Sequence, residues 1–298
     1  MALPEFIIST RFGVGVTDHE WFKIRFRIFE AIPFSSLMAQ TDQNFHWLIF
    51  VGASPLDWVI EDLKKLLEPF GERASILYSS QRASSINKYA KEHIKSDAMV
   101  VGLLDDDDAW TVDTIAKARA QAESYVNQGD TLGAFTYQNG TEWLMTDLLD
   151  LDALLNKNKR IVRKASLYNY TRPFHSMSCF HFCPIGECME RIGNLHSSRG
   201  DVIVEAGGVK HIIDNPEPAW LYSRHHLVDS ALHRARKYAP LSWDNDELAR
   251  RFGVNQAMIE AYQNDAQNIP YARKRAHGQK DKSNFLIADG TIEGIDPL

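Results

Sequence analysis

The chain has 298 residues, 44% hydrophobic and 24% charged, enough for one large α/β domain or two small ones and ordinary for a soluble globular protein. Its net charge of -6 leaves no overall basic excess to hold a polyanion, which argues against nucleic acid as a partner. No apolar run approaches the roughly 18 residues of a spanning helix, and Met1-Ala2-Leu3-Pro4-Glu5 lacks the basic region of a signal peptide.

Phe6–Thr10 is a predicted first strand, ending at Arg11-Phe12-Gly13. A helix is expected from Asp18, with Trp21, Ile24, Ile28 and Ile32 forming an apolar stripe and Arg25 at its edge, so that its direction is open. His46–Val51 is a second strand, Leu56–Glu68 a helix, Ala74–Tyr78 a third strand, Ala83–Ile94 a helix and Ala98–Leu104 a fourth strand. Alternation of strand and helix implies a mainly parallel sheet covered on both faces. A helix to Tyr125 follows, then a strand at Leu132–Tyr137. Asn139-Gly140 is a turn signal, and Glu142–Met145 is expected as the hairpin partner of that strand. Beyond it, Met177–Phe182 and Ala219–Ser223 are strand candidates, and Asp244–Phe252 and Asn255–Gln263 are short helices. Arg273–Lys282 lies in a basic, mobile tail.

The stretch richest in chemistry is Asp105-Asp106-Asp107-Asp108, between the apolar fourth strand and a helix. Ligand sites in open α/β sheets lie at the carboxyl ends of strands. Four adjacent carboxylates repel, and a hard cation would relieve that repulsion. The bland alternative is a solvated acidic turn. An EF-hand counted from Asp105 fails, because Trp110 and Ala116 stand where Gly and Glu are needed. A phosphate cradle fails because the turn has no glycines. Gly13-Val14-Gly15 begins like a dinucleotide fingerprint, but Asp18 stands at its third glycine place.

The three cysteines, Cys179, Cys183 and Cys188, are clustered and odd in number, which argues against a disulfide framework and for a reducing cytoplasm. In a strand, Cys179 and Cys183 would stand about 13 Å apart, too far for one tetrahedral ion. They are therefore expected to be buried thiols.

Together these residues resemble the GT-A-fold, family-2-like nucleotide-sugar glycosyltransferases, and within them the putative rhamnosyltransferase family. The likeness rests on Thr10-Arg11-Phe12, Trp21, Arg25, Phe29-Glu30, Ser36-Leu37, Gln40-Thr41 and Phe45-His46-Trp47-Leu48. It continues through Leu104-Asp105-Asp106-Asp107-Asp108-Ala109, a form of the DxD motif, to Pro218-Ala219-Trp220-Leu221, His225-His226 and Ser230. Two places depart from the family: Leu103 stands where Arg is usual before the acidic run, and Val51-Gly52-Ala53 lacks a base-binding Asp.

The resemblance implies an α/β GT-A (Rossmann-like) fold: a mainly parallel sheet flanked by helices, a smaller mixed acceptor-side region and a C-terminal helical cap. Residues 1–110 would form the nucleotide-sugar half and 111–240 the acceptor half, with 241–270 the cap and 271–298 the tail. It implies metal-dependent, inverting transfer of a sugar, rhamnose by that family's name, from a dTDP-, UDP- or GDP-sugar to a glycan or lipid-linked glycan. Mn²⁺ or Mg²⁺ would be held by Asp105, Asp107 and Asp108 with His225 or His226. Asp105, Asp106, Thr10, Arg11, Arg82 and Asn87 would touch the donor. Asp201 would be the base, with Glu205 and Asp214 as alternatives. Removing a carboxylate, as in Asp107→Ala, is expected to leave melting unchanged or raised. The basic tail would touch an anionic membrane from the cytoplasmic side. Competing readings are a non-catalytic sugar- or nucleotide-binding relative and a Mg²⁺-dependent phosphohydrolase, though Ala109 and Trp110 break the motif the latter needs.

Overall fold

The computed structural model describes residues 4–145, 148–149, 161–163, 166–189, 198–225, 240–266 and 295–297. The first half is built from β1 (Glu5–Arg11), α1 (His19–Phe29), α2 (Ser35–Met38), β2 (His46–Phe50), α3 (Asp57–Leu67), β3 (Ala74–Leu77), α4 (Arg82–His93) and β4 (Ala98–Leu103). Its four strands pair in parallel in the order β3-β2-β1-β4. Phe6, Ile7 and Ile8 are all 0% exposed. A parallel sheet covered on both faces calls for such unbroken apolar runs.

The second half contains β5 (Ala109–Trp110), α5 (Thr114–Asn127), β6 (Gly133–Tyr137), β7 (Asn139–Leu144), β8 (Leu148–Leu149), β9 (Ile161–Arg163), β10 (Ser166–Thr171) and β11 (Cys179–Pro184). It continues with α6 (Asp201–Glu205), β12 (Val209–Ile213), β13 (Trp220–Arg224), α7 (Asn245–Phe252), α8 (Gln256–Ala266) and β14 (Ile295–Pro297). The large sheet has the order β12-β6-β11-β4-β1-β2-β3-β14, and a second sheet has the order β10-β7-β13-β5. Within the large sheet β11 is antiparallel to β4 and β6. Residues of α1, α3 and α5 cover one face, and residues of α4 and α6 the other. The expected α/β class, with its mainly parallel sheet flanked by helices, is therefore what the chain adopts. Among the described residues no helix is long and apolar enough to cross a membrane.

One expected pairing differs. β6 and β7 do not form a hairpin, because β6 already has β11 and β12 on its two edges. The chain instead passes through Gln138 from the large sheet to the second. Gly140, read as a turn residue, lies inside β7, where a Cβ would fall 2.0 Å from the Trp220 ring. The C-terminal helices are part of the main core: Leu248, Phe252, Ile259 and Tyr262 join the cluster around α1. The three cysteines are buried free thiols, as expected. The basic tail lies outside the described residues.

Candidate functional site

α1 starts cleanly because the Asp18 carboxylate accepts hydrogen bonds from the Glu20 and Trp21 N–H groups at 2.9 and 3.2 Å. This sets the helix phase, which turns Arg25 inward with Trp21, Phe22 and Ile28. The Arg25 guanidinium lies 5.4 Å from the centre of the Trp21 ring and is only 6% exposed. A charge so buried needs opposite charge beside it, and the acidic turn supplies it.

The turn is clamped from several sides. Leu104 N–H reaches back to the Ser9 carbonyl at 3.2 Å, and Asp108 N–H closes the turn on the Asp105 carbonyl at 3.3 Å. Trp110 then pairs with Trp220 across β5 and β13. At the end of β13, Ser223 N–H donates to Asp108 Oδ1 at 2.8 Å, and its hydroxyl donates to the Asp107 carbonyl. Asp106, Asp107 and Asp108 are 7%, 7% and 0% exposed. These three are buried groups, not a solvated acidic turn.

Arg25 Nη2 is ion-paired with Asp106, while its Nη1 lies 3.0 Å from Asp107 Oδ2 and 3.0 Å from His225 Nε2. His225 Nε2 is also 2.9 Å from Asp107 Oδ2. A neutral imidazole nitrogen donates or accepts, not both; as an N–H it donates to Asp107. Burial lowers the His225 pKa in spite of that bond, which favours the neutral ring. Burial alone would raise Asp107, but Arg25 and His225 outweigh it and hold the group at about 2. Burial lifts Asp106 to about 6 against the pull of Arg25, with Asp107 and Asp105 adding repulsion. Asp108 is raised well above its ordinary value, first by burial and then by Asp107 and Asp105. One guanidinium cannot neutralise so many buried carboxylates.

Opposite signs of stability follow. Asp106, raised in the fold, contributes stability that is full below its unfolded value of 3.8 and is lost as pH rises through about 6. Asp107, lowered, contributes stability that is present above 3.8 and is lost as pH falls towards 2. Asp106→Asn is therefore expected to gain stability relative to wild type as pH rises from about 4 to 7, the window set by these values. Paired melting curves across that range check it; a constant difference between the two proteins would refute it.

The expected Mn²⁺ or Mg²⁺ has to be fitted to this set. A bound ion would need its oxygen and nitrogen ligands at roughly 2.0–2.2 Å. Instead, a guanidinium nitrogen contacts Asp107 and His225, the two best placed donors. Among the described residues no group of three or more His, Cys, Asp or Glu side chains could hold a metal ion. Asp108 is 0% exposed; its Oδ1 accepts from the Ser223 N–H, and its Oδ2 is buried without a hydrogen-bond partner among the described residues. While Arg25 stands there, the residues present fit a guanidinium and not a divalent ion. His226 lies outside the described residues.

The outer wall differs. Asp105 is half-buried at the turn's edge, and its charge acts on both Arg11, at the end of β1, and Arg82, at the start of α4. Burial, then the nearby Arg11, lowers Arg82 to about 10, still cationic at neutral pH. Its Nε is buried without a hydrogen-bond partner. Arg11 is exposed and donates to the Ser80 carbonyl at 3.3 Å.

Several expected residues make other contacts or face solvent. Thr10 is 0% exposed, and its hydroxyl accepts from the Trp47 indole at 2.9 Å, so it supports the core and does not reach a donor. Both polar atoms of Asn87 are spent on the Cys188 backbone, at 2.9 and 2.6 Å. Asp201 is paired with Lys210 at the start of α6. Glu205 is exposed at the far end of α6, and Asp214 accepts from Gln138 at 2.6 Å. The structure brings together Arg11, Arg82 and Asp105–Asp108 with His225, and adds Arg25 and Ser223. Arg25 had two signals in the sequence, a charge at the edge of an apolar stripe and a place among the residues of the family resemblance.

The profile of a family described as putative rhamnosyl transferase matches residues 15–182. No curated protein matches the chain in sequence. Among solved structures, S. aureus TarS 1–349 aligns at 11% identity and TM-score 0.38, over 74% of this chain and 60% of that one. The same protein in complex with UDP aligns at 8% identity and TM-score 0.37, over 74% and 61%. HddC from Yersinia pseudotuberculosis aligns at 12% identity and TM-score 0.36, over 71% and 90%. The chain thus spans about 60% of the length of the TarS fragment.

Proposed function

The chain belongs to the family described as putative rhamnosyl transferase, and on that premise we propose that it transfers a sugar, rhamnose by the family's description, from a nucleoside diphosphate donor to a glycan hydroxyl. The observation that carries this reading is the buried acidic turn at the carboxyl end of β4, with Arg11 at the end of the neighbouring β1 and Arg82 at the start of α4.

A sugar diphosphate leaves only if its developing charge is neutralised, and fixed cations do this best in a site shielded from water. Arg11 and Arg82 are the cations proposed to meet the diphosphate, Arg82 at the N-terminus of the twelve-residue α4. Asp105 is proposed to accept a hydrogen bond from a donor hydroxyl. Beneath it, Arg25, Asp106, Asp107 and His225 form a rigid floor that fixes the turn. The step is proposed without a divalent ion, since Arg25 Nη1 contacts both Asp107 and His225. In the transfer, the acceptor oxygen attacks the anomeric carbon, the bond to the diphosphate oxygen breaks, and the hydroxyl proton passes to a carboxylate. Asp201 is proposed as that carboxylate on the family resemblance.

The test is melting of the protein with dTDP-, UDP- and GDP-sugars, in EDTA and in Mn²⁺. A ligand at about 100 times its Kd stabilises by about 2.7 kcal/mol, several degrees in Tm for a chain of this size. One nucleotide class is expected to raise Tm in EDTA, and Arg82→Ala or Asp105→Asn is expected to abolish the rise. Absence of a shift with every donor would refute the reading; a shift only with Mn²⁺ would restore the divalent ion.

A further inference from the structure

A second concave site lies on the face of the large sheet covered by α4 and α6. It is a cavity of about 530 Å³ whose lining includes Arg172, Phe174, Arg199, Lys210 and Ile212. Among the described residues, three cations line it and no carboxylate does. Lys210 is paired with Asp201. The polar contact of the Arg172 guanidinium is a 3.4 Å approach to the Tyr170 hydroxyl. Among the described residues Arg199 makes no side-chain hydrogen bond or ion pair, in contrast to Arg25 and Arg119, whose charges are balanced inside the protein.

The backbone around this cavity is unusual. Among the described residues, two that are not glycine have positive φ, Phe174 at 54° and Arg199 at 56°, and both line it. Side chains rarely adopt this conformation, which costs on the order of 1–3 kcal/mol and persists where the surroundings enforce it, often at functional sites. The enforcement is visible. Phe174 N–H donates to the Thr136 hydroxyl at 3.1 Å, and Gly200 sits so close over the Phe174 ring that a Cβ would fall 2.7 Å from it. The turn Arg199-Gly200-Asp201 is thereby held against Phe174. It presents Arg199 to the cavity and Asp201 next to it. Ile212, 54% exposed, adds an apolar surface.

We infer that this cavity binds an anionic group of the acceptor, a sugar carboxylate or a phosphate, and so selects acidic glycans. The inference rests on the proposed transfer reaction and names the acceptor class it uses. Concave walls of one charge concentrate ligands of the opposite charge, and guanidiniums match the planar oxygens of both groups. Ile212 offers a surface for the apolar face of a pyranose ring. Asp201, one residue from Arg199, stands where a hydroxyl of a ligand so anchored can approach it.

The experiment is calorimetric titration of the whole protein with three probes: a glucuronate-containing oligosaccharide, its neutral glucose counterpart and, with the donor site saturated by the nucleotide that raises Tm, inorganic pyrophosphate. Donor binding is measured separately. The acidic oligosaccharide or pyrophosphate is expected to bind at least tenfold more tightly than the neutral sugar, and more weakly as salt rises. Whichever binds tells carboxylate from phosphate. Arg172→Ala with Arg199→Ala should reduce that affinity tenfold or more and leave donor binding and Tm unchanged, while Arg199→Lys retains part of it. Equal binding of acidic and neutral sugars, no binding of either anionic probe, or unchanged affinity in the double variant overturns the inference. Loss of donor affinity in the double variant also overturns it, by assigning the cavity to the donor. Failure of the donor melting assay alone would leave the oligosaccharide results standing, so the two failures are distinguishable.

Discussion

Replacing Asp107 with Ala is expected to destabilise the protein by about 3–5 kcal/mol, the range for breaking a buried ion pair from one side. For a chain of this size that corresponds to a fall in Tm on the order of 10 °C. The variant strands two groups. Arg25 loses the contact at 3.0 Å, and His225 loses its acceptor at 2.9 Å. Both remain buried, at 6% and 1% exposure. This reverses the expectation from the sequence, in which four adjacent carboxylates repel and removal of one brings relief. Relief is the right argument for charges in solvent. Here the count of neighbours includes Arg25, from 82 positions earlier in the chain, and its attraction wins. Asp105→Ala is the control: it removes a half-buried carboxylate at the rim and should leave Tm within a degree or two, about the scatter of surface substitutions. Thermal and urea unfolding of both variants decide the matter. Equal melting of Asp107→Ala and wild type would show that the buried cluster contributes nothing.

The same contrast explains what was legible in the sequence. β1 to β4 are rich in apolar residues, because a parallel sheet is buried on both faces, and their parallel pairing follows from alternation with helices. The acidic turn could be placed at a strand's end for the same reason. The second half resisted because pairing there is not sequential. β7 looks like the return strand of β6, yet β6 has both edges filled by β11 and β12, one 40 and one 70 residues further on. β12 alternates half-exposed and exposed residues at the edge of the sheet, so it lacks an apolar run. Side-chain roles were the least legible. Thr10 and Asn87 have the right chemistry for a donor site, but their hydrogen bonds go to Trp47 and Cys188. Arg25 has the wrong neighbours in the sequence and the right ones in space. Helical periodicity places a residue on a face, but what that face meets depends on segments 80 and 200 residues away.

Replacing Arg25 with Met is expected to turn the buried floor into a divalent-cation site. The side chain keeps much of its length and loses its charge. Asp106 and Asp107 then face each other with no guanidinium between them, and each would shift its titration upward, since the attraction that offsets burial and repulsion is gone. At neutral pH the variant should be destabilised by several kcal/mol, comparable to other one-sided losses of a buried pair. Two treatments should repair it. Lowering the pH to about 5 lets the carboxylates take up protons, so stability lost above their folded pKa values returns below them. Adding Mn²⁺ offers a compact cation in place of the guanidinium, with carboxylate oxygens and a neutral imidazole as ligands suited to it. Asp107 Oδ2 and His225 Nε2, 2.9 Å apart, are close enough to bind one ion together. Millimolar Mn²⁺ without donor should therefore raise the Tm of Arg25→Met and leave wild type unmoved. Arg25→Lys should lie between, because an ammonium keeps the charge but cannot reach Asp106 and Asp107 with two parallel donors. If Mn²⁺ stabilises wild type as strongly as Arg25→Met, the ion and Arg25 share the site, and the acidic turn holds a divalent cation after all.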